Sequence, residues 1–232
     1  MSTVSRKARP QRLVLYGVSW DEYSRMLRAF ADRPGFRLTY DRGTLEIMSP
    51  LFEHENSADL LGLFVLVLTE ELGLPRKAGR STTFRRRRMR RGLEPDHSWW
   101  IAHEPQVRGK MRIDLRVDPP PDLALEVDVT HRSIDRMKIY AKLGVPEVWR
   151  LSGSGLAFQV LQPNGRYAEQ PHSLAFPPFT PADMTAHLAL RAQHDENEVV
   201  RRFREFVRQR LAAGPAGDAG KGPPGSQTAG GK

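Results

Sequence analysis

The segment from residue 122 to residue 129 constrains the fold most, because its residues alternate as a buried strand requires. It reads Asp122-Leu123-Ala124-Leu125-Glu126-Val127-Asp128-Val129. Side chains alternate between two faces along a strand, so Glu126 and Asp128 share one face while apolar residues occupy the other. Two carboxylates on one face repel each other and are costly to bury unless a cation compensates them. The segment therefore predicts a strand that brings acids to a site.

A second acidic segment, Glu94-Pro95-Asp96, lies beside another predicted strand. Mg²⁺ is bound in proteins by one or two carboxylates together with waters and substrate phosphates. Asp96 and Glu126 are therefore the predicted metal ligands. The alternative for either acid taken alone is a solvated strand end, since charged residues are mostly exposed.

Positive charge is concentrated around Asp96. Residues 80–116 contain eleven Lys and Arg against four Asp and Glu, which accounts for seven of the chain's net nine positive charges. A dense run within this segment comprises Arg85, Arg86, Arg87, Arg88, Arg90 and Arg91. Such a cluster attracts a phosphate backbone with salt-dependent affinity. The run predicts DNA binding, and the alternative is a solvated arginine-rich loop.

Four segments together carry a family resemblance. They are residues 40–50 with the nearby His54, residues 94–96, residues 121–130 and residues 139–149. The most specific is the last, with the pattern Tyr-Ala-x-x-Gly-Val-Pro-Glu-x-Trp from Tyr140 to Trp149. With these motifs the chain resembles the restriction-endonuclease family called Uma-two, within the PD-(D/E)xK nuclease superfamily, from about residue 16 to about residue 180.

The resemblance implies both a fold and an activity. The fold is an α/β restriction-endonuclease-like core, with a mixed central β-sheet flanked by helices and an added C-terminal helix. The activity is that of an endonuclease that uses Mg²⁺ (or Mn²⁺) to hydrolyse phosphodiester bonds of DNA. Asp96 corresponds to the first motif acid and Glu126 to the second.

The chain departs from the superfamily pattern at one position. Superfamily nucleases usually place a lysine two residues after the second acid, where this chain has Asp128. The resemblance implies that the lysine has moved to the next helix, four residues before Tyr140, where this chain has Arg136. Arginine can stabilise negative charge on a phosphate, but it stays protonated and is not a general base. Lys138 lies on a different helix face.

Three further residues complete the predicted site. Glu46 and Asp128 are expected to position water or a second ion, and His54 to hydrogen-bond a water or a phosphate. Because Arg136 replaces the lysine, a catalytically degenerate nucleic-acid-binding module of the same fold is an alternative. A second alternative is a structural or interaction protein whose basic surface is only solvated.

The remaining pattern predicts a single domain over residues 12–212, between a disordered N-terminus (1–11) and a disordered Gly/Pro-rich tail (213–232).

Ser19 and Glu22 form a capping box that opens the first helix. Other predicted elements include a hairpin at Arg42-Gly43, strands at 80–84, 94–101, 111–117 and 147–151, and a helix capped by Ser133. An amphipathic helix over residues 197–211 is expected to dock on the core or on a second subunit, which leaves a homodimer open.

Several classes of protein are excluded by composition. The chain has no cysteine, so disulfides, zinc–thiolate sites and thiol nucleophiles are absent. No run of 18 apolar residues marks a membrane span. The basic N-terminus lacks the apolar region of a signal peptide, which predicts a cytoplasmic protein without membrane association.

At least one of the adjacent Trp99 and Trp100 is expected in the core, because neighbouring residues of a strand point to opposite faces.

Overall fold

The computed structural model of the protein describes residues 11–33, 35–49, 52–80, 82–128 and 133–214. The helices are α1 (Trp20–Ala29), α2 (Phe52–Glu71), α3 (Glu104–Val107), α4 (Arg136–Leu143), α5 (Pro181–Ala189) and α6 (Glu196–Ala212). The strands are β1 (Gln11–Leu15), β2 (Arg37–Asp41), β3 (Thr44–Ser49), β4 (Lys77–Ala78), β5 (Phe84–Arg86), β6 (Arg91–Leu93), β7 (His97–Trp100), β8 (Leu123–Asp128), β9 (Glu147–Ser152), β10 (Gly155–Leu161) and β11 (Tyr167–Gln170).

A mixed sheet forms the centre of the molecule. Its six strands follow the order β11-β10-β9-β8-β7-β4. The β8–β9 pair is parallel and is connected through α4, whereas the other pairs are antiparallel. A parallel pair needs such a crossover, and α4 supplies it between Asp135, whose side chain caps its start, and Gly144. The expected mixed α/β architecture is confirmed.

A second, antiparallel sheet has the strand order β1-β3-β2-β6-β5. Arg42 and Gly43 both have positive φ, 46° and 106°, as the tight turn of the predicted β2–β3 hairpin requires. One face of this sheet packs on α1, where the ring of Tyr23 stacks on Tyr40 at a centroid distance of 4.7 Å. The capping box of α1 is present as predicted, with Ser19 as its N-cap.

The largest core lies between the mixed sheet and helices α2, α5 and α6. Leu125 and Val127 of β8 point into it, which confirms the predicted alternation of that strand. Phe203 of α6 stacks on Phe64 of α2 at 4.1 Å, so the C-terminal helix docks on this domain's own core. The opposite face of the sheet packs on α4. Trp99 and Trp100 point to opposite faces, and both are buried.

Several local predictions were wrong. Residues 111–117 form turns, because the Asp118 carboxylate accepts the Asp114 backbone N–H at 2.7 Å and closes a local loop. The strand expected at 80–84 begins only at Phe84, and Arg80 has a left-handed φ of 45°. The strand expected at 94–101 is confined to β7. The cap of α4 is Asp135 and not Ser133.

The chain termini differ from expectation where they are described. Gln11 begins β1, so the strand starts within the segment expected to be disordered. Residues 1–10 lie outside the described residues, as do residues 215–232 of the tail. Helices α3 and α5 had not been predicted.

Candidate active site

Glu126 is the centre of a buried polar cluster. Its side chain lies on β8 facing α4, and the residue is only 3% exposed. The carboxylate oxygen Oε1 accepts a hydrogen bond from Arg136 Nη2 at 2.5 Å. The same oxygen accepts a hydrogen bond from the Tyr140 hydroxyl. A buried carboxylate is thus compensated by one cation and one neutral donor.

Arg136 joins the two sheets at this point. Its Nη1 donates to Thr39 Oγ1 on β2 at 2.6 Å, and its Nη2 also donates to the Glu94 carbonyl at 2.5 Å. Burial alone would lower the pKa of Arg136, but the charges of Glu126, Tyr140 and Asp96 raise it above its ordinary value. Arg136 is therefore a permanent cation at the centre of the site.

Asp96 lies next to Glu126 across two antiparallel strands. His97 pairs with Leu125, so the next step of the same register sets Asp96 opposite Glu126. The Asp96 Oδ2 atom accepts the backbone N–H of Val127 at 2.7 Å. Asp96 is 6% exposed. The two predicted metal ligands are thus brought together at one end of the β7–β8 pair.

His54 lies against Asp96 from the first turn of α2. Its Nε2 is 3.4 Å from Asp96 Oδ2, and its Nδ1 is 4.0 Å from Glu55 Oε1. Both ring nitrogens are buried, and neither forms a hydrogen bond with any described residue. The Nε atom of Arg136 is likewise buried without a hydrogen bond in the described structure. Unsatisfied buried donors and acceptors are typical of a site that binds water, an ion or a ligand.

Glu46 reaches the cluster from the second sheet. It is directly opposite Thr39 in the β2–β3 register, and Thr39 is a partner of Arg136. Its Oε2 accepts the backbone N–H of Ser133 at 3.0 Å and lies 3.6 Å from Arg12 Nε. Glu46 therefore lies beside the cluster and fixes the chain that enters α4.

Asp128, unlike Asp96 and Glu126, pairs with an arginine of the neighbouring strand. Its Oδ2 accepts from Arg150 Nη2 at 3.0 Å, on the neighbouring strand β9. Lys138, on the exposed face of α4, pairs with Asp135 at 3.2 Å. Arg136 and not Lys138 is therefore the cation of α4 that meets Glu126.

The arginine run forms a hairpin and not a loop. Arg85 and Arg86 belong to β5, Arg87 and Arg88 to a short 3-10 turn, and Arg91 to β6, with Arg90 at a left-handed φ of 50° between them. Arg91 Nε lies 2.9 Å from Asp41 Oδ1, and Arg87 Nη2 lies 3.2 Å from Asp21 Oδ1. The predicted role of the run in DNA binding stays a prediction.

Three residues of the cluster, Tyr140, Thr39 and Glu94, were not predicted as site residues. Tyr140 follows Arg136 by four residues, so their shared helix face could have identified it. The Glu94 side chain accepts from Thr83 Oγ1 at 2.8 Å and from Leu38 N at 3.4 Å, while burial raises the pKa of its carboxyl. Thr39 carried no local signal, because its contact with Arg136 spans 97 residues of sequence.

The residues present fit a metal that needs few protein ligands. Within the described ranges, no group of three His, Cys, Asp or Glu side chains converges as a dedicated metal cage. Mg²⁺ binds through one or two carboxylates and keeps several waters, which suits the oxygen ligands of Asp96 and Glu126. The unsatisfied nitrogens of His54 beside Asp96 agree with a further polar occupant. Metal binding stays a prediction.

The chain is similar to known proteins of one kind. None of the curated proteins compared with it matches. Among solved structures, it is similar to a protein of Anabaena variabilis described as "a putative nuclease belonging to DUF820", with 16% identity and a TM-score of 0.45 over 74% of this chain and 99% of that one. In the part of the chain that is described, no helix has the length and apolar character needed to cross a membrane. The family model Uma2, described as "Putative restriction endonuclease", matches residues 20–192, and the chain therefore belongs to the Uma2 family.

Proposed function

We propose that this protein is a metal-dependent endonuclease that hydrolyses phosphodiester bonds of DNA. The observation that carries the proposal is the buried Glu126 carboxylate, held by Arg136 and Tyr140 beside Asp96. Burying acids and a cation together is costly, and a buried ion pair adds little stability compared with apolar packing. Such an arrangement at one end of a strand pair is typical of an active site. The description of the Uma2 family supports nuclease chemistry.

Asp96 and Glu126 would hold the metal, Mg²⁺ or Mn²⁺. When bound, the ion would lower the pKa of a water and stabilise negative charge on the phosphoryl oxygens. The chain's own contribution is to fix both carboxylates before substrate arrives. The Val127 backbone N–H orients Asp96, and two donors orient Glu126.

Arg136 would act mainly through Glu126. Both of its terminal nitrogens donate to protein acceptors, so the guanidinium is directed into the molecule. Its charge still acts through space on a phosphate in this low-dielectric region, where electrostatic stabilisation is strongest. Arg136 cannot remove a proton from water, because it stays protonated.

His54 and Glu46 would complete the site from the side facing the second sheet. The buried His54 ring has two nitrogens without hydrogen bonds to described residues, which fits contact with a water or a phosphate oxygen. Glu46 fixes the start of α4 through Ser133 N, and its charge lies beside Thr39. Asp128 would contribute charge near Glu126 while it stays paired with Arg150.

The proposal is tested by incubating purified protein with supercoiled plasmid DNA in Mg²⁺, in Mn²⁺ and in EDTA. Nicking or linearisation should require metal, and Glu126→Gln should abolish it in the fraction that stays folded, because loss of the partner of buried Arg136 also lowers stability. Arg166→Gln, which removes an exposed cation outside the cluster, serves as the control and should retain activity. A wild type that is inert in every metal, or cleavage that continues in EDTA, would contradict the proposal.

A further inference from the structure

Two adjoining grooves cross the surface formed by α1, β5 and the segment of residues 110–116. Their volumes are about 760 and 770 Å³. Five residues line both grooves and so mark their junction: Arg28, Thr83, Arg85, Arg112 and Ile113. The two grooves therefore form one continuous concave track, which we call the arginine groove.

The junction of the arginine groove carries three cations without acidic partners among the described residues. Arg28 comes from α1, Arg85 from β5 and Arg112 from the turn segment, and all three are exposed. None of them forms an ion pair or a side-chain hydrogen bond with any described residue. Three arginines from separate parts of the chain that line one groove raise the local positive potential and favour the binding of an anion.

Further cations extend the track in both directions from the junction. They are Arg33, Arg37, Lys77 and Lys110 in one groove, and Arg25, Arg86, Arg87 and Arg116 in the other. The acids along the track are few, namely Glu94, Asp21 and Asp114. Asp21 is paired with Arg87, and Asp114 with Arg116, so neither compensates the junction. Cations therefore outnumber acids along the groove.

The wall of the groove is held in place by the protein itself. Lys77 Nζ donates to the carbonyls of Val107, Arg108 and Lys110, at 2.7, 3.0 and 2.5 Å. Lys110 in turn pairs with Asp118, whose carboxylate also accepts the Asp114 N–H. The segment that carries Arg112 is thus tied to β4, so the backbone that presents this cation is held in place by the protein.

Glu94 connects the arginine groove with the candidate active site. Glu94 lines the groove, and its carbonyl accepts Arg136 Nη2 at 2.5 Å. Leu38 also lines the groove, and the next residue, Thr39, accepts from Arg136 Nη1. The groove and the candidate active site are therefore neighbours in the fold, connected through Glu94 and the Leu38–Thr39 pair of β2.

We infer that the arginine groove binds the phosphate backbone of the nucleic acid at a distance from the bond that is cut. This inference rests on the proposed function for its ligand class. Guanidinium groups bind phosphate oxygens in a bidentate manner, and a track of them suits a repeating phosphodiester chain. The affinity comes from Arg28, Arg85 and Arg112, and only the first part of the predicted run, residues 85–87, belongs to the groove. Exposed Arg88 lines neither groove.

The test measures binding alone, in EDTA, so that its outcome is separate from cleavage. Fluorescence anisotropy with a labelled DNA duplex is recorded over a range of salt concentrations. The triple variant Arg28→Ala, Arg85→Ala, Arg112→Ala should bind more weakly, and its log–log salt slope should fall by up to about 0.9 for each phosphate that is no longer neutralised. The charge-matched control is Lys142→Ala, Arg166→Ala, Arg202→Ala, which alters three exposed cations that line neither groove and lie outside the arginine run.

The control variant should keep the wild-type salt slope. Equal reductions of the slope in both triple variants would show that only total charge matters and would overturn the groove assignment. A wild-type slope retained by the groove variant would overturn it as well. The variant Arg28→Lys, Arg85→Lys, Arg112→Lys keeps the charge and should retain most of the slope. Plasmid cleavage in Mg²⁺ is scored separately, so an inert wild type that still binds through the groove contradicts only the proposed function.

Discussion

Tyr140 and Arg136, one helical turn apart on α4, donate hydrogen bonds to the same carboxylate oxygen of Glu126. The hydroxyl and the guanidinium approach from one helix face, which is why their four-residue spacing matters. Burial and the neighbouring Glu126 charge raise the pKa of Tyr140 well above its ordinary value, so the hydroxyl keeps its proton and remains a donor. The two donors therefore restrain the rotation of the Glu126 carboxylate.

Tyr140→Phe tests whether this hydrogen bond positions Glu126. We expect cleavage to fall by about 10–100-fold, the usual effect of removing a residue that orients a metal ligand. A plasmid-nicking rate measured over a metal titration checks this, because weaker orientation should also raise the metal concentration needed for half activity. An unchanged rate and metal requirement in a folded variant would remove Tyr140 from the site.

Two substitutions of Arg136 separate the effect of its positive charge from the effect of its side-chain shape. Arg136→Ala leaves Glu126 buried without its cation and should destabilise the fold by about 3–5 kcal/mol. Arg136→Lys keeps the charge, so its cleavage rate should equal or exceed that of the wild type. In the fraction that stays folded, Arg136→Ala should lower the rate by about 10²–10³-fold.

Urea unfolding and single-turnover cleavage, measured on the same preparations of the Arg136 variants, check both effects. Cleavage that survives Arg136→Ala unchanged would exclude this residue from the mechanism. Lys138 would not then replace it, because Lys138 is exposed and pairs with Asp135.

Glu147 gives a pH-dependent prediction away from the site. Its carboxylate is fully buried and accepts from Trp149 Nε1 at 2.9 Å and from Ala175 N at 2.9 Å. Burial raises the pKa of Glu147 above its ordinary value of 4.5, although these hydrogen bonds lower it. A carboxyl with a raised pKa binds more protons in the folded state, so its contribution to stability is greatest below pH 4.5 and is lost as pH rises through the folded pKa.

Glu147→Gln removes this titration. The free energy of unfolding of the wild type minus that of the variant should therefore decrease as pH rises from about 4.5. Urea unfolding of both proteins at several pH values measures this difference directly. A difference that is constant across the range would show that Glu147 does not change its protonation on folding.

Local sequence rules predicted the elements that are fixed by local interactions. The capping box at Ser19 and the turn at Arg42-Gly43 each depend on neighbouring residues. The same kind of signal was present and overlooked at Thr180 and Asp183, which form the capping box of α5. The pattern of residues 111–117 predicted a strand that is not present. The hydrogen bond from Asp114 N–H to the Asp118 carboxylate competes with strand formation there.

Contacts between distant segments could not be predicted in the same way. The family resemblance placed Arg136 and Glu126 in one site, and the two side chains form an ion pair there. Nothing in the sequence near Arg28 relates it to Arg85 or Arg112, because that relationship depends on α1 packing over the second sheet. The arginine run groups cations by their proximity in sequence, whereas the arginine groove groups them by their position in the fold.

The most direct test of the central claim is whether Asp96 and Glu126 bind a divalent ion. The competing account is that the Arg136–Glu126 pair is a structural ion pair that needs no metal. Isothermal titration of Mn²⁺ and of Mg²⁺ into the wild type and into Asp96→Asn, with circular dichroism as the folding control, separates the two accounts. We expect binding by the wild type and at least about tenfold weaker binding by the variant. A wild type that binds neither ion, or a folded variant that binds both as tightly as the wild type, would contradict the account.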